Sequence, residues 1–450
     1  MHELSPELRA LGESILSAAL QRLAGDPPDL GLTLPPADVA RRVGATVTAA
    51  GLGPDEALAR FRDVLLPLTT AIDHPRYLAF IPAAPTPASV LIDLLVSATS
   101  VYGGSWMEGA GAVHAENEAL RWLADLAGLP PAAGGCFVQG GTNGNISALH
   151  AAREHARSAR AGAAPARWRV ACSDEVHSSV RMAARIMDVD VLPVPTGPDG
   201  RLRGEAVAGA LAADGGDGVF AVVATAGTTN LGRIDDLAGV AAACRERDLW
   251  LHVDGAYGAA GLCAPSLRER FSGIERADSL IVDPHKWLFA PFDSCALIYA
   301  DPERGRAAHR QSASYLDALY RDEAWNPSDY GLHLTRRARG LPFWFSLAVH
   351  GTDAYATAVE RTLEVTRAGA EEIRGRPELE LLNEPELSVL AFRRSGWQEE
   401  DYHRWAAELK AAGTAFVLPT TVHGETVARL ALVNPRTTRD DVRIVLDSMR

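Results

Sequence analysis

The sequence predicts an α/β protein: a mostly parallel seven-stranded sheet with helices on both faces, a helical arm before it and a small α+β unit after it. Three observations carry this. From Gly134 onward, short apolar runs alternate with Ala-rich helical patterns, as strands joined by crossover helices do. The opening segment has helical spacing and Pro-rich connections but no strand-like run. Beyond Leu341 a long helical pattern gives way to three apolar runs and a last helix. The boundaries this implies are 1–85 for the arm, 86–340 for the large unit and 341–450 for the small one.

In chain order, Leu8, Leu11, Ile15, Ala19, Leu20 and Leu23 recur at helical spacing over 8–23 and make one apolar face. The Gly25–Pro28 break and Pro35-Pro36 interrupt it, and two short helices follow at 36–50 and 54–65. Such an opening reads as an arm laid on another surface, of which a partner subunit is one. The Pro-bounded segment 74–82 serves equally well as a pocket wall or a packed connection. A helix over 90–100 and the pair Gly103-Gly104 come next.

Candidate strands are 136–138, 168–172, 189–194, 220–225, 249–253, 279–282 and 295–299, with helices between them at 145–160, 178–187, 204–213 and 237–247. Gly-rich clusters at 197–204 and 214–218 are turns. The stretch 301–335 is polar with little periodicity, and a loop that long in a compact domain is usually functional or disordered. A long helix is expected over 341–368, strands near 387–392, 415–418 and 428–433, and a last helix that Thr438 caps with Asp441 in third position.

Charge narrows the partners. The chain carries 44 basic and 57 acidic residues, net −13, which repels phosphate backbones and anionic lipid, so neither nucleic acid nor a membrane surface is expected. The start lacks a basic region followed by an apolar run, and no uninterrupted apolar segment is long enough to cross a bilayer, so the expected location is the cytoplasm. Cys136, Cys172, Cys244, Cys263 and Cys295 are odd in number, scattered and without a C-x-x-C, as reduced core cysteines are.

The chemistry gathers at strand ends. Leu280, Ile281 and Val282 form a buried run stopped by Pro284, and His285-Lys286-Trp287 follow at its carboxyl end, where open α/β sheets bind ligands. Lys286 is the candidate nucleophile, because burial disfavours its charged form and lowers its pKa. The strand 249–253 ends on Asp254, an acid that can pair with a protonated ring nitrogen or cap the next turn through Gly255. His252 faces the same side, as a metal pair would, but no third ligand has suitable spacing, and no metal is expected.

Gly140-Gly141-Thr142-Asn143-Gly144-Asn145 lies between a strand and a helix and suits one phosphate group; it matches neither a dinucleotide fingerprint nor a P-loop. Standing alone, it reads more readily as a Gly-rich turn with a Thr cap. His177 sits at the mouth of a helix, where its ring can stack on a flat cofactor or serve as a turn residue. Thr228 brings a hydroxyl to the same edge, for a phenolic oxygen or for a Ser/Thr turn. Phosphate cradle, stacking ring, acid for a ring nitrogen and imine-forming lysine are together what pyridoxal 5'-phosphate requires.

Asp283-Pro-His-Lys-Trp287, Leu251-His-Val-Asp-Gly-Ala-Tyr257, Asp174-Glu-Val-His-Ser-Ser179, Ala224-Thr-Ala-Gly-Thr-Thr229 and His74-Pro-Arg-Tyr-Leu-Ala-Phe80 resemble the group II pyridoxal-phosphate amino-acid decarboxylases, relatives of aromatic-L-amino-acid and glutamate decarboxylases. The resemblance runs from about Ala37 to Tyr355. It implies a fold-type I enzyme, a homodimer with active sites shared at the interface and the arm wrapped on the partner. Lys286 becomes the Schiff-base lysine, Asp254 the partner of the pyridine nitrogen and His177 the ring stacked on the cofactor. Thr228 would contact the cofactor, Ala256 would pack below its ring, Gly141 and Thr142 would hold the phosphate, and His285 would lie beside it.

Family decarboxylases return a proton to the α-carbon from a loop tyrosine, whereas relatives with phenylalanine there admit oxygen and release an aldehyde. Of Tyr315, Tyr320 and Tyr330, Tyr330 is the choice here. Phe80, Ile81 and Gly104 stand where the family has large aromatics in the substrate pocket, so a different side chain fits. Asp283 stands beside the phosphate where the family usually has Asn, and must turn away or be compensated. The implied activity is α-decarboxylation of an L-amino acid, aromatic or otherwise apolar, with an aldehyde synthase or a non-catalytic dimer as alternatives.

Overall fold

A computed structural model describes residues 2–25, 29–160, 163–320 and 324–450. Seven strands run β1 (Gly134–Val138), β2 (Arg169–Cys172), β3 (Asp190–Pro193), β4 (Val219–Thr225), β5 (Trp250–Asp254), β6 (Ser279–Val282) and β7 (Cys295–Tyr299). Each coincides with an apolar run read from the sequence. Their order in the sheet is β1-β7-β6-β5-β4-β2-β3. Neighbours from β6 through β3 pair in parallel, and β7 runs antiparallel to both β1 and β6. The carboxyl ends of β1, β2, β4, β5 and β6 therefore emerge along one edge.

Both faces are apolar because alternate residues of a strand point to opposite sides. Val222 and Ala224 of β4, with Leu280 and Val282 of β6, belong to one core cluster; Ala221, Val223 and Ile281 belong to the other. Fourteen α-helices surround the sheets among the described residues: α1 (Pro6–Ala24), α2 (Pro36–Val43), α3 (Pro54–Ala59), α4 (Pro87–Ala98), α5 (Trp106–Leu126), α6 (Gly141–Ala159), α7 (Ser178–Ile186), α8 (Gly204–Asp214), α9 (Leu237–Glu246), α10 (Pro302–His309), α11 (Leu341–His350), α12 (Thr352–Arg374), α13 (Glu399–Ala411) and α14 (Arg439–Asp447). Residues of α5, α8 and α9 fill the first face and those of α6 and α7 the second. A smaller antiparallel sheet, with strands β8 (Leu379–Leu381), β9 (Val389–Arg394), β10 (Thr420–Val422) and β11 (Glu425–Ala431) in the order β10-β11-β9-β8, packs with α12, α13 and α14 around its own core. Thr438 caps α14 reciprocally with Asp441, as expected.

Several expectations need correction. The run 415–418 is no strand of the small sheet: Phe416 bonds instead to the N-terminal segment, accepting from Leu78 N at 2.8 Å and donating to Arg76 O at 2.9 Å. The expected helix over 341–368 is two helices, because Gly351 at φ 74°, ψ 161° breaks the chain between α11 and α12. The helix expected over 36–50 ends at Val43, where Gly44 turns with φ 68°. The 21-residue α5 was not expected; its apolar stripe is diluted by glycines, and the backbone kinks at Gly109. Residues 26–28 of the Gly25–Pro28 break lie outside the described residues. No helix among the described residues is long and apolar enough to cross a membrane.

Candidate active site

The strand ends open onto a cleft of about 500 Å³. From β1 the chain passes through Gly140, at φ 150°, into α6. Helix α6 comes close to the sheet at Gly144, where a Cβ would stand 2.8 Å from Ile281 Cγ2 and 3.0 Å from Cys295 Sγ. At Gly141 a Cβ would meet both Ala256 Cβ and Asp283 Oδ2 at 3.1 Å. The first turn of a helix has N–H groups without intrahelical partners, and with the dipole they favour an anion. Gly141 and Thr142 carry that turn on the cleft wall.

Asp254, at the end of β5, is 4 % exposed. Its Oδ2 accepts from Asn145 Nδ2 at 2.8 Å and its Oδ1 from Ala256 N at 3.2 Å. The same Asn145 amide donates to Ser179 Oγ at 2.8 Å. With its nitrogen committed to these two acceptors, Asn145 Oδ1 must accept, and His252 Nε2 donates to it at 2.7 Å. His252 Nδ1 then accepts from the Ser279 hydroxyl at 2.8 Å, whose oxygen in turn accepts from Trp250 Nε1 at 2.8 Å. Burial lowers His252 to about 4, so the ring is neutral, and both nitrogens are taken, which leaves neither free for a metal. His177 is the N-cap of α7: its Nδ1 accepts from Ser179 N at 3.3 Å and lies 2.8 Å from Ser179 Oγ. With Nδ1 accepting, Nε2 is the ring nitrogen that carries a proton.

Beyond β6, Lys286 Nζ lies 2.9 Å from Asp283 Oδ2. Burial alone lowers the lysine pKa, as the sequence suggested, but the carboxylates of Asp283 and Asp254 outweigh it and the net shift is upward. The expectation of a lysine depressed by its surroundings is thus corrected: the amine is held as an ammonium. Asp283 is likewise pushed up by burial, yet Lys286 and His285 hold it below its ordinary value. It faces inward, accepting from Gly141 N at 3.3 Å, and does not turn away. Burial lowers His285, whose Nδ1 donates to Ser294 O at 2.6 Å.

Gly141, Thr142, His177, Asp254, Ala256, His285 and Lys286 thus line one cleft. Thr228 does not join them: its hydroxyl accepts from Arg233 N at 3.1 Å within the turn, while Thr225 and Thr229 face the cleft. Thr225 Oγ1 is buried without a hydrogen-bond partner. Tyr330 is also corrected. It is 3 % exposed, stacked on Trp325 at 4.3 Å, and belongs to the core beside β1 and β7. Tyr320's side chain lies outside the described atoms. Phe80, Ile81 and Gly104 do not line the cleft within the chain: Phe80 is 58 % exposed with φ 52°, Ile81 packs on the main core, and Gly104 abuts the Tyr102 ring.

Residues missed from sequence include Asn145, Thr229 and Phe292 at the rim, and Arg429 of β11, which donates to Thr229 O and Phe80 O. A Thr-Thr pair does not reveal which member turns inward, and an Asn within an Ala-rich helix carries no signature.

The residues present fit pyridoxal phosphate. The cleft offers helix N–H groups for an anion, a carboxylate for a ring nitrogen, an imidazole and an amine. The amine is also distinctive: Lys286 and Lys410 are the only lysines in the chain. The model of the pyridoxal-dependent decarboxylase conserved domain matches residues 40–395. The chain belongs to this family. It is a pyridoxal-phosphate-dependent amino-acid decarboxylase, and its sequence is 30 % identical over 406 residues to the aromatic-L-amino-acid decarboxylase of Bacillus atrophaeus, covering 87 % of this chain and 84 % of that one. To the L-2,4-diaminobutyrate decarboxylase of Rhizobium meliloti (strain 1021) the decarboxylase is 33 % identical over 414 residues, 89 % and 82 % of the two chains. Its fold superposes on Oryza sativa TDC, solved with PLP and tryptamine, at a TM-score of 0.92 and 23 % identity, covering 100 % and 99 % of the chains. On Rhodiola rosea 4-hydroxyphenylacetaldehyde synthase the TM-score is 0.87 at 21 % identity, with 100 % and 98 % covered. At such identities the two structures speak for the fold alone.

Proposed function

We propose that this decarboxylase removes the α-carboxylate of an L-amino acid with an aromatic or other apolar side chain, releasing the amine and carbon dioxide, with Lys286 as the residue that holds the cofactor. The observation that carries the reading is that Lys286, Asp254, His177 and the open first turn of α6 line one cleft. Bound pyridoxal phosphate supplies an electron sink for the charge left when the carboxylate departs. Gly141 and Thr142 would bind its phosphate through backbone N–H groups, with His285 alongside, and Ala256 would lie under the ring. Asp254 offers a carboxylate to the ring nitrogen, and Thr229, in place of Thr228, a hydroxyl to the phenolic oxygen. His177 holds a proton at Nε2 toward the cleft, where it can position the substrate.

The reading extends to a homodimer with shared sites. Helix α1 has no buried residue; Leu8, Ile15, Leu16 and Leu20 are 37 % to 46 % exposed, and Ile15 lines a surface groove with Phe61 and Leu66. Contiguous apolar surface of this kind is characteristic of a partner interface. Phe80, Ile81 and Gly104, which lie off the chain's own cleft, would then serve the partner's. Tyr315, 71 % exposed, would be the loop tyrosine that returns the proton there. A second reading, decarboxylation coupled to oxidative deamination, rests on one observation: no described tyrosine side chain between 314 and 330 lines the cleft within the chain.

Incubation of the purified protein and pyridoxal phosphate with tryptophan, tyrosine, phenylalanine, histidine, glutamate and 2,4-diaminobutyrate separates these outcomes when carbon dioxide, amine, aldehyde and peroxide are all read. The first reading expects amine from an aromatic or apolar amino acid and no peroxide. Aldehyde with peroxide supports the second reading, and a preference for diaminobutyrate or glutamate rejects the assigned side-chain class.

A further inference from the structure

Asp283 is the charge in the cleft that the proposed chemistry leaves without a task. It is 1 % exposed. Its Oδ2 meets three groups, Lys286 Nζ at 2.9 Å, Gly141 N at 3.3 Å and His285 Nε2 at 3.7 Å. Oδ1 has no hydrogen-bond partner, and the carboxylate lies close to the Cys295 thiol. One carboxylate oxygen thus occupies the first N–H of α6, which an entering phosphate needs, and neutralises the ammonium that must lose a proton before it can react with an aldehyde.

We propose that Asp283 couples the two events: an anion entering the first turn of α6 displaces the carboxylate from Gly141 N, and Asp283 then takes a proton from Lys286, freeing the amine only when phosphate is present. This rests on the reading of Lys286 as the cofactor lysine. Two anions cannot share the Gly141 N–H, so the phosphate raises the cost of keeping Asp283 charged, and the nearest proton is on Nζ. The proton passes from Nζ to Oδ2. The freed nitrogen pair forms a C–N bond to the aldehyde carbon, the carbonyl oxygen leaves as water, and no oxidant or reductant is consumed. The other titratable groups acting on the pair are His285 on the same segment, Asp254 at the end of β5 and Cys295 at the start of β7. Burial keeps the Cys295 thiol protonated, and His285 Nε2, the unprotonated nitrogen when Nδ1 donates to Ser294 O, lies 3.7 Å from Asp283 Oδ2, so Oδ2, 2.9 Å from Nζ, is the acceptor in contact with the ammonium.

The test uses the full chain stripped of cofactor, with pyridoxal, which lacks the phosphate, as the aldehyde. Adducts are trapped with borohydride and assigned by peptide mass spectrometry, with Lys410 as the internal control. In the wild type, inorganic phosphate is expected to accelerate labelling of Lys286 at pH 7 by about tenfold or more, the effect of one pKa unit, and to leave Lys410 unchanged. Asp283→Asn is expected to label fast without phosphate, to gain nothing from it and to shift the pH midpoint of labelling downward. If that variant does not fold, Asp283→Ser makes the same test with the cradle widened. An unchanged or slower rate with phosphate in the wild type, or an unchanged midpoint in the variant, overturns the coupling. No adduct on Lys286 even with pyridoxal phosphate itself would instead overturn the reading of the lysine.

Discussion

Asn145 does the most wiring per atom in the cleft. Its amide gives both hydrogens away, to Asp254 and Ser179, and accepts one from His252, so a single buried side chain links the acid at the end of β5 to the histidine at the start of α7. Asn145→Ala leaves a carboxylate oxygen and an imidazole N–H without partners at 4 % and 0 % exposure. Each such orphan costs about 1–3 kcal/mol. The expected outcome is a lower denaturation midpoint in urea and, because groups that orient a ligand-binding side chain are typically worth 10–100-fold, turnover reduced by about that factor. Wild-type turnover in this variant would show that Asp254 is positioned without it. Asp254 was read as an acid ending an apolar strand and Lys286 and His177 as polar residues a few positions beyond one, and it was their company rather than any one of them that pointed to a shared cleft. Asn145 was not, since its partners come from β5 and α7 and are only revealed by packing. Tyr330 failed for the converse reason: sequence gave it a loop address, whereas the stacking of Trp325 draws it into the core.

At the scale of elements, α6 governs the geometry. It contacts β4, β5, β6 and β7 while its first turn faces the cleft, so a shift of the helix moves the candidate anion site. Gly144 permits the close approach. Gly144→Ala places a Cβ 2.8 Å from Ile281 Cγ2, well inside ordinary contact. Overpacking of this kind costs about 1–3 kcal/mol. A thermal melt should show the lost stability, and a titration should show weaker pyridoxal phosphate binding as the first turn is lifted; unchanged affinity would mean that the cradle tolerates movement of its helix. The inner strands of the large sheet were legible because strands buried on both faces read as continuous apolar runs; β3, at the sheet edge, is exposed at Asp190 and Pro193. The three-residue β8 and β10 gave no such run: the hairpin at His423-Gly424, with φ 50° and 82°, decides the pairing of β10 with β11, and β8 pairs with β9. The segment 415–418 looked like a strand and is extended, but the chain it pairs with lies more than three hundred residues away at Arg76–Leu78.

Across the whole molecule, chemistry-bearing residues are scattered from Gly140 to Lys286 in sequence and gather only because parallel strands deliver their carboxyl ends to one edge. That convergence was foreseeable from the α/β alternation. What sequence could not supply was the sign of the lysine's environment, because burial and two carboxylates act in opposite directions and only their distances decide which wins. The chain's lysine usage makes the central claim unusually direct to test, since only two residues can form a stable lysine adduct. Borohydride reduction of the protein loaded with pyridoxal phosphate, followed by peptide mapping, should place the phosphopyridoxyl group on Lys286 and leave Lys410 bare, and Lys286→Ala should lose both the adduct and turnover. An adduct confined to Lys410, or full turnover without Lys286, would contradict the account.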